Sequence, residues 1–256
     1  MEGAQLKIFF AVQCHNFQQR FAWQLSSLLE QDPFGAELKI DVACMVKNGI
    51  PSTEYLCYAF ANRGLDVGYT YYRREVMARR GIVRNWQTKA AQVWGADWIF
   101  YADCDNVYSK DFFKLLVEGL QGPLANVTNC IYSKAKAHTV TEQTDEYARL
   151  AMQCPYIPYA YLRASHIPRL TKGNKPVAAG CMQVCNMGAI QAKTGGVYVP
   201  EKSCRDSHLF DRGQKAKSDK QFRRAMGGST QYSLPIQYHF GHDRDKELGY
   251  HSEAQR

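Results

Sequence analysis

Residues 81–105, GIVRNWQTKAAQVWGADWIFYADCD, carry a helix, its stop, a strand and a pair of acids in one stretch. Trp86, Ala90, Val93 and Trp94 recur at helical spacing and predict a helix over 84–94 with those side chains on one face. Gly95 ends it, because glycine enters the left-handed conformation that closes a helix without a steric penalty. The run Trp98–Ala102 then contains no charged residue. An unbroken apolar strand of this kind belongs in a parallel sheet covered on both faces. It stops abruptly at Asp103-Cys104-Asp105, and two acids this close cannot both be buried and ionised without a compensating cation.

Working outward, the same alternation recurs upstream. LKIFFAV (6–12) reads as a strand, 16–31 as a helix with Phe17, Phe21, Trp23, Leu25, Leu28 and Leu29 on a broad apolar face, and ELKIDVACMV (37–46) as the returning strand. A second unit follows, with a helix over 52–63 opened by Ser52 or Thr53 and a strand over 66–73. Downstream, 109–120 is an amphipathic helix with Ser109 as its N-cap, and LANVTNCIYS (124–133) reads as a strand. Residues 134–176 lose periodicity and gain prolines at 155, 158, 168 and 176, with one helix near 141–153. From 176 to 190 the chain resumes β-like character, and a short helix is expected around 218–226.

Strands alternating with helices predict an α/β fold: a mostly parallel central sheet with helices on both faces and a less regular C-terminal half. At 256 residues one domain is the default, with 1–125 as a nucleotide-binding half and 126–256 as an acceptor-binding half. In such sheets ligands bind at the carboxyl ends of the strands, which is where Asp103 and Asp105 stand.

The composition is that of a globular protein, 45% apolar and 22% charged. No stretch reaches the roughly 20 apolar residues that cross a bilayer, and the N-terminus shows neither a basic leader nor a cleavage site, so a cytoplasmic protein is expected. Nine scattered cysteines, several inside apolar runs, argue for free thiols over a disulfide framework, and Cys181 and Cys185 lack the spacing of a zinc site. A net charge of +8 calls for an anionic partner: nucleotide phosphates, acidic headgroups or nucleic acid.

With these motifs in place, the chain resembles the GT-A class of nucleotide-sugar glycosyltransferases, in particular glycosyltransferase family 2 and its galactosyltransferase relatives. Asn16 and SSLLEQ (26–31) match the family's first strand end and helix, GIVRN (81–85) its arginine-asparagine segment, and GADWI (95–99) the lead-in to its DxD motif. The likeness covers most of 6–125. Family members carry an aspartate at the end of the second strand, and VACMVKNG has none.

The resemblance implies a GT-A fold and a metal-dependent transfer of sugar from a nucleotide diphosphate sugar, UDP most of all, to a hydroxyl. It implies Asp103, Asp105 and a C-terminal histidine as ligands of Mn²⁺ or Mg²⁺. His242 stands in HDRDK, an order similar to that around the galactosyltransferases' metal-binding histidine, and His239 is the alternative. Gln13, Asn16, Arg84 and Asp103 are the implied donor-site residues, with Arg244 and Lys246 closing over the phosphates. Asp219 matches the family's general base, with Asp206 and Asp211 in reserve; a helix-start role for Asp219 is the alternative. Gly195 and Gly196 are candidates for close acceptor approach, or for a plain turn. The acceptor class stays open between a glycan, a lipid-linked sugar, a protein and a hydroxylated base in DNA. The competing functions are a nucleotidyltransferase, which would want a glycine-rich basic loop after the first strand, and a non-catalytic carbohydrate- or nucleic-acid-binding module.

Overall fold

The computed structural model describes residues 5–14, 18–45, 52–77, 79–104, 106–108, 112–133, 182–198, 212–232 and 237–239. Along the chain these form β1 (Leu6–Gln13), α1 (Gln18–Leu29), β2 (Ala36–Cys44), α2 (Thr53–Ala61), β3 (Val67–Tyr71), α3 (Arg74–Met77), α4 (Arg80–Trp94), β4 (Trp98–Asp103) and β5 (Asn106–Tyr108). The second half adds α5 (Phe112–Gln121), β6 (Cys130–Ser133), β7 (Met182–Asn186), α6 (Met187–Thr194), α7 (Arg212–Ala225), β8 (Ser229–Tyr232) and β9 (Gln237–His239).

Alternation along the two central strands builds two cores. Ile8, Phe10 and Val12 of β1 join Trp98, Phe100 and Ala102 of β4 on one face, where α1, α2 and α5 bring Phe21, Leu25, Leu56, Phe60, Phe112 and Leu116. Phe9 and Ala11 join Ile99 and Tyr101 on the other, beneath Ala91 of α4, Ile190 of α6 and Phe222 of α7. Phe10 and Phe100 stack at 4.4 Å between centroids, with Tyr108 edge-on to both. Each buried ring contributes about 2 kcal/mol by area alone.

The seven-stranded sheet runs β3-β2-β1-β4-β7-β6-β8. Pairs β1–β2, β1–β4, β2–β3 and β6–β8 are parallel, while β7 runs antiparallel to both β4 and β6. From β1 the chain passes to β2 and β3 on one side and then crosses back to β4 on the other, so the crevice of a doubly wound sheet opens between β1 and β4. Gln13 and Asp103 are partners at its rim.

Several boundaries differ from expectation. The first four strands and α2 fall within two residues of prediction, and Ser52 caps α2 by accepting from the Tyr55 amide at 3.3 Å. The strand expected over 124–133 is only β6; Gly122–Asn126 is a turn in which the Leu124 amide bonds back to Gly119 and the Leu124 side chain folds into the core. Asn186 ends β7 and caps α6 by accepting from the Ala189 amide, so the β-like reading of 176–190 gives way to a helix from 187. The helix expected at 84–94 begins at Arg80, and its predicted face is inverted: Trp86 and Val93 are 57% and 84% exposed, whereas Arg84, Gln87 and Thr88 are buried. The helix around 218–226 extends back to Arg212, which puts Asp219 in its interior and removes the helix-start role. The helix near 141–153 and the Ser109 cap lie outside the described residues. The six described cysteines are reduced and buried.

Candidate active site

Asp103 is the last residue of β4, and its backbone is fastened from two sides. Gln24 of α1 donates through Nε2 to the Asp103 carbonyl at 2.8 Å, and Asn106 donates to the same oxygen at 3.1 Å. The backbone is thereby fixed at the crevice rim, with the Asp103 side chain 36% exposed. Its partner is Arg80, the first residue of α4, with Nη2 2.7 Å from Oδ1. The Arg80 carbonyl in turn accepts from Gln13 Nε2 at 3.4 Å, which ties the start of α4 to the end of β1.

One helical turn further, Arg84 is 2% exposed. Expected to face the nucleotide, it points instead into the protein: Nη1 donates to Asp219 Oδ1 at 3.1 Å and to the Tyr198 hydroxyl, and the guanidinium lies 4.9 Å from the ring centroids of both Tyr101 and Tyr198. The arginine of α4 at the crevice rim is Arg80. Burial pushes the Tyr198 hydroxyl far above its usual range, so it stays protonated and donates to Asp219. Asp219 is 8% exposed. Burial alone would raise its pKa, but the charges of Arg84 and Arg80 and hydrogen bonds from Tyr198 and Gln183 outweigh it and hold the carboxyl below 3.8. Asp219 is therefore an ionised counter-ion, anchoring α7 to α4.

A third carboxylate was missed by sequence reasoning. Asp41 sits on β2 three residues before its end, and Gln87 Nε2 reaches its Oδ2 at 3.2 Å, its carbonyl at 3.1 Å and the Val12 carbonyl at 3.0 Å. Burial raises the Asp41 pKa above 3.8 against the lowering effects of Gln87, Thr70 and Lys39. Asp41 continues the polar alternation of Glu37 and Lys39 along β2, so it reads as one more outward-facing position and no local signal marks it.

Gly195 and Gly196 do not line this crevice. Gly195 is the left-handed cap of α6, and a Cβ on Gly196 would meet Gln191 and Gln92 at 2.7 Å. Gln92 lies twelve residues beyond Arg80 along α4, roughly 18 Å at 1.5 Å per residue. Helix capping, not an acceptor or a hairpin, explains the pair.

Asn16, Asp105, His242, Arg244 and Lys246 lie outside the described residues, as do Asp206 and Asp211. His239 is placed by its backbone: β9 pairs antiparallel with β5, and His239 is opposite Asn106. The histidine-bearing segment thus runs beside the strand that follows the acidic turn. Among the described residues no cluster of three or more His, Cys, Asp or Glu forms a metal cage. The one described carboxylate at the rim is that of Asp103, a hard oxygen donor of the kind Mn²⁺ and Mg²⁺ take.

A sheet of this order, with its acid at the carboxyl end of β4 and helices on both faces, has a GT-A-like glycosyltransferase fold. The solved structures it is similar to include TarS of S. aureus. Residues 1–349 of TarS in complex with UDP superpose with a TM-score of 0.58 at 13% identity, covering 96% of this chain and 63% of that one. The complex with UDP-GlcNAc gives 0.57 at 14%, covering 92% and 59%. The longer TarS structure gives 0.56 at 14%, covering 95% of this chain, which spans 38% of its length. At these identities the likeness is one of fold. No family model and no curated protein matches the chain. No helix among the described residues is long and apolar enough to cross a membrane.

Proposed function

We propose that the protein is a glycosyltransferase that moves a sugar from a UDP-sugar to a hydroxyl acceptor. The observation that carries this is Asp103, held at the crevice between β1 and β4 in a fold shared with structures that contain UDP and UDP-GlcNAc. Asp103, Asp105 and His242 would hold a Mn²⁺ or Mg²⁺ ion, which supplies Lewis-acid neutralisation of the diphosphate as it leaves. Gln13, the last residue of β1, would meet the nucleotide together with Asn16, and Arg244 and Lys246 would supply phosphate-binding cations.

In the transfer itself the acceptor oxygen bonds to the anomeric carbon from the side opposite the diphosphate, the bond to the diphosphate oxygen breaks, and a base takes the acceptor's proton. Asp219, the first candidate for that base, is enclosed with Arg84 and Tyr198 on its carboxylate, so we assign the role to the reserve acids Asp206 and Asp211. Replacing the acting one of the two by Asn should then stop transfer while leaving nucleotide-sugar affinity intact.

The test of the function is a thermal-shift screen of nucleotide sugars with and without Mn²⁺. A donor that binds the native state raises the melting temperature by mass action, and here the rise should require the metal. Asp103→Asn should abolish it. An unchanged melting temperature with every nucleotide sugar, in both conditions, refutes the assignment.

A further inference from the structure

We propose that Arg80 is a donor-phosphate ligand of this site and that its guanidinium competes with a divalent cation for Asp103. The inference rests on the glycosyltransferase reading and deepens it.

Two arginines one turn apart on α4 meet two carboxylates from different elements, and their settings differ. Arg84 and Asp219 have side chains 3% and 11% exposed, a closed pair in the interior. Arg80 and Asp103 have side chains 14% and 36% exposed at the crevice rim, with the shorter contact of 2.7 Å. Both backbones of the rim pair are fastened, at the Arg80 carbonyl by Gln13 and at the Asp103 carbonyl by Gln24 and Asn106. What can rearrange is therefore the contact between the two side chains.

The charges dictate what happens there. Without ligand, Arg80 neutralises Asp103. A divalent cation on the same carboxylate brings like charge within a few ångströms of the guanidinium and is opposed by it. A diphosphate reverses the sign of that relation, because its oxygens bind the cation and the planar guanidinium fork together. Metal and Arg80 are thus antagonists in the empty site and allies once the nucleotide is bound. Binding of metal and of nucleotide must then be coupled, equally in both directions.

The experiment titrates Mn²⁺ into wild type, Arg80→Gln and Arg80→Lys with and without UDP, following free Mn²⁺ by its electron paramagnetic resonance signal. Without UDP, Arg80→Gln should bind Mn²⁺ about tenfold more tightly than wild type, the size of one pKa unit of lost repulsion. With Mn²⁺ present it should bind UDP at least tenfold more weakly, again a loss of about one such unit. Arg80→Lys keeps the charge without the fork, so its metal affinity should stay near wild type while its UDP affinity falls. It also serves as the folded control if Arg80→Gln is unstable. Mn²⁺ affinity unchanged in Arg80→Gln, or UDP affinity unchanged in both variants, overturns the proposal. A wild type that binds Mn²⁺ but no UDP sinks the donor assignment, while the Mn²⁺ arm still decides the competition at Asp103. A wild type that binds neither overturns both.

Discussion

Replacing Asp219 by Asn removes one charge from the most enclosed ion pair in the described structure and leaves its shape nearly intact. Arg84, 2% exposed, would then keep its positive charge in the interior with an amide oxygen in place of a carboxylate. Breaking a buried pair from one side costs about 3–5 kcal/mol. The Asn oxygen can still accept from Tyr198 and Arg84, which softens the loss. The expected destabilisation is therefore about 3 kcal/mol, the low end of that range. In a chain of this size that lowers the melting temperature by about 6–12 °C.

The pH dependence separates an ion pair from ordinary packing. The folded pKa of Asp219 lies below its ordinary 3.8, so its contribution is fully present above 3.8 and is lost as pH falls through the depressed folded value. The gap between wild type and Asp219→Asn should hold constant from neutral pH down to about 5 and narrow at still lower pH. Thermal unfolding followed by circular dichroism between pH 3 and 7 reads both quantities. Equal melting temperatures, or a gap as wide at pH 3 as at pH 7, would refute the charge-pair account.

Two further predictions follow from the same structure. The Asp41 pKa is raised above 3.8, chiefly by burial, so ionising it costs stability as pH rises through the folded pKa; Asp41→Asn should raise the melting temperature at pH 7 and change little at pH 3, checked by the same scan. Phe100→Leu breaks the stack on Phe10 and the edge contacts to Tyr108 and Phe112, and should cost about 1–3 kcal/mol in urea unfolding with no change in nucleotide affinity.

The first half of the fold was legible because its strands are unbroken apolar runs. β1 and β4 are buried on both faces, so every position reads the same way, and Gly95 marks the turn between α4 and β4 with a φ of 77°. Helix α4 was misread for the converse reason. Hydrophobic periodicity finds a buried face only when that face is apolar, and here it mixes Arg84, Gln87 and Thr88 with Gly81, Val83 and Ala91. What makes burial of those residues favourable lies far along the chain: Asp41 is 46 residues from Gln87, and Asp219 is 135 from Arg84. Buried polar groups need partners, and no local pattern announces them. Arg80 escaped notice because the apolar spacing starts only at 84, which left the rim residue outside the expected helix. Asp103 could be found because an acid that ends a buried strand conflicts with its surroundings.

Helix α4 thus joins three carboxylates from three elements: Asp103 of β4 through Arg80, Asp219 of α7 through Arg84, and Asp41 of β2 through Gln87. Of the two charged pairs, the inner one is closed and the outer one opens on the crevice. That gradient assigns the pairs different work. An enclosed pair exchanges its partner only at a cost of several kcal/mol, so Arg84 and Asp219 hold α4 and α7 in place whatever binds outside. At the rim, water screens the Arg80–Asp103 contact to about 1 kcal/mol or less, and an arriving cation or diphosphate can rearrange it. The same four-residue spacing on one helix sets a fixed anchor beside a solvent-screened pair, so the rim contact can rearrange without loosening the fold that positions it.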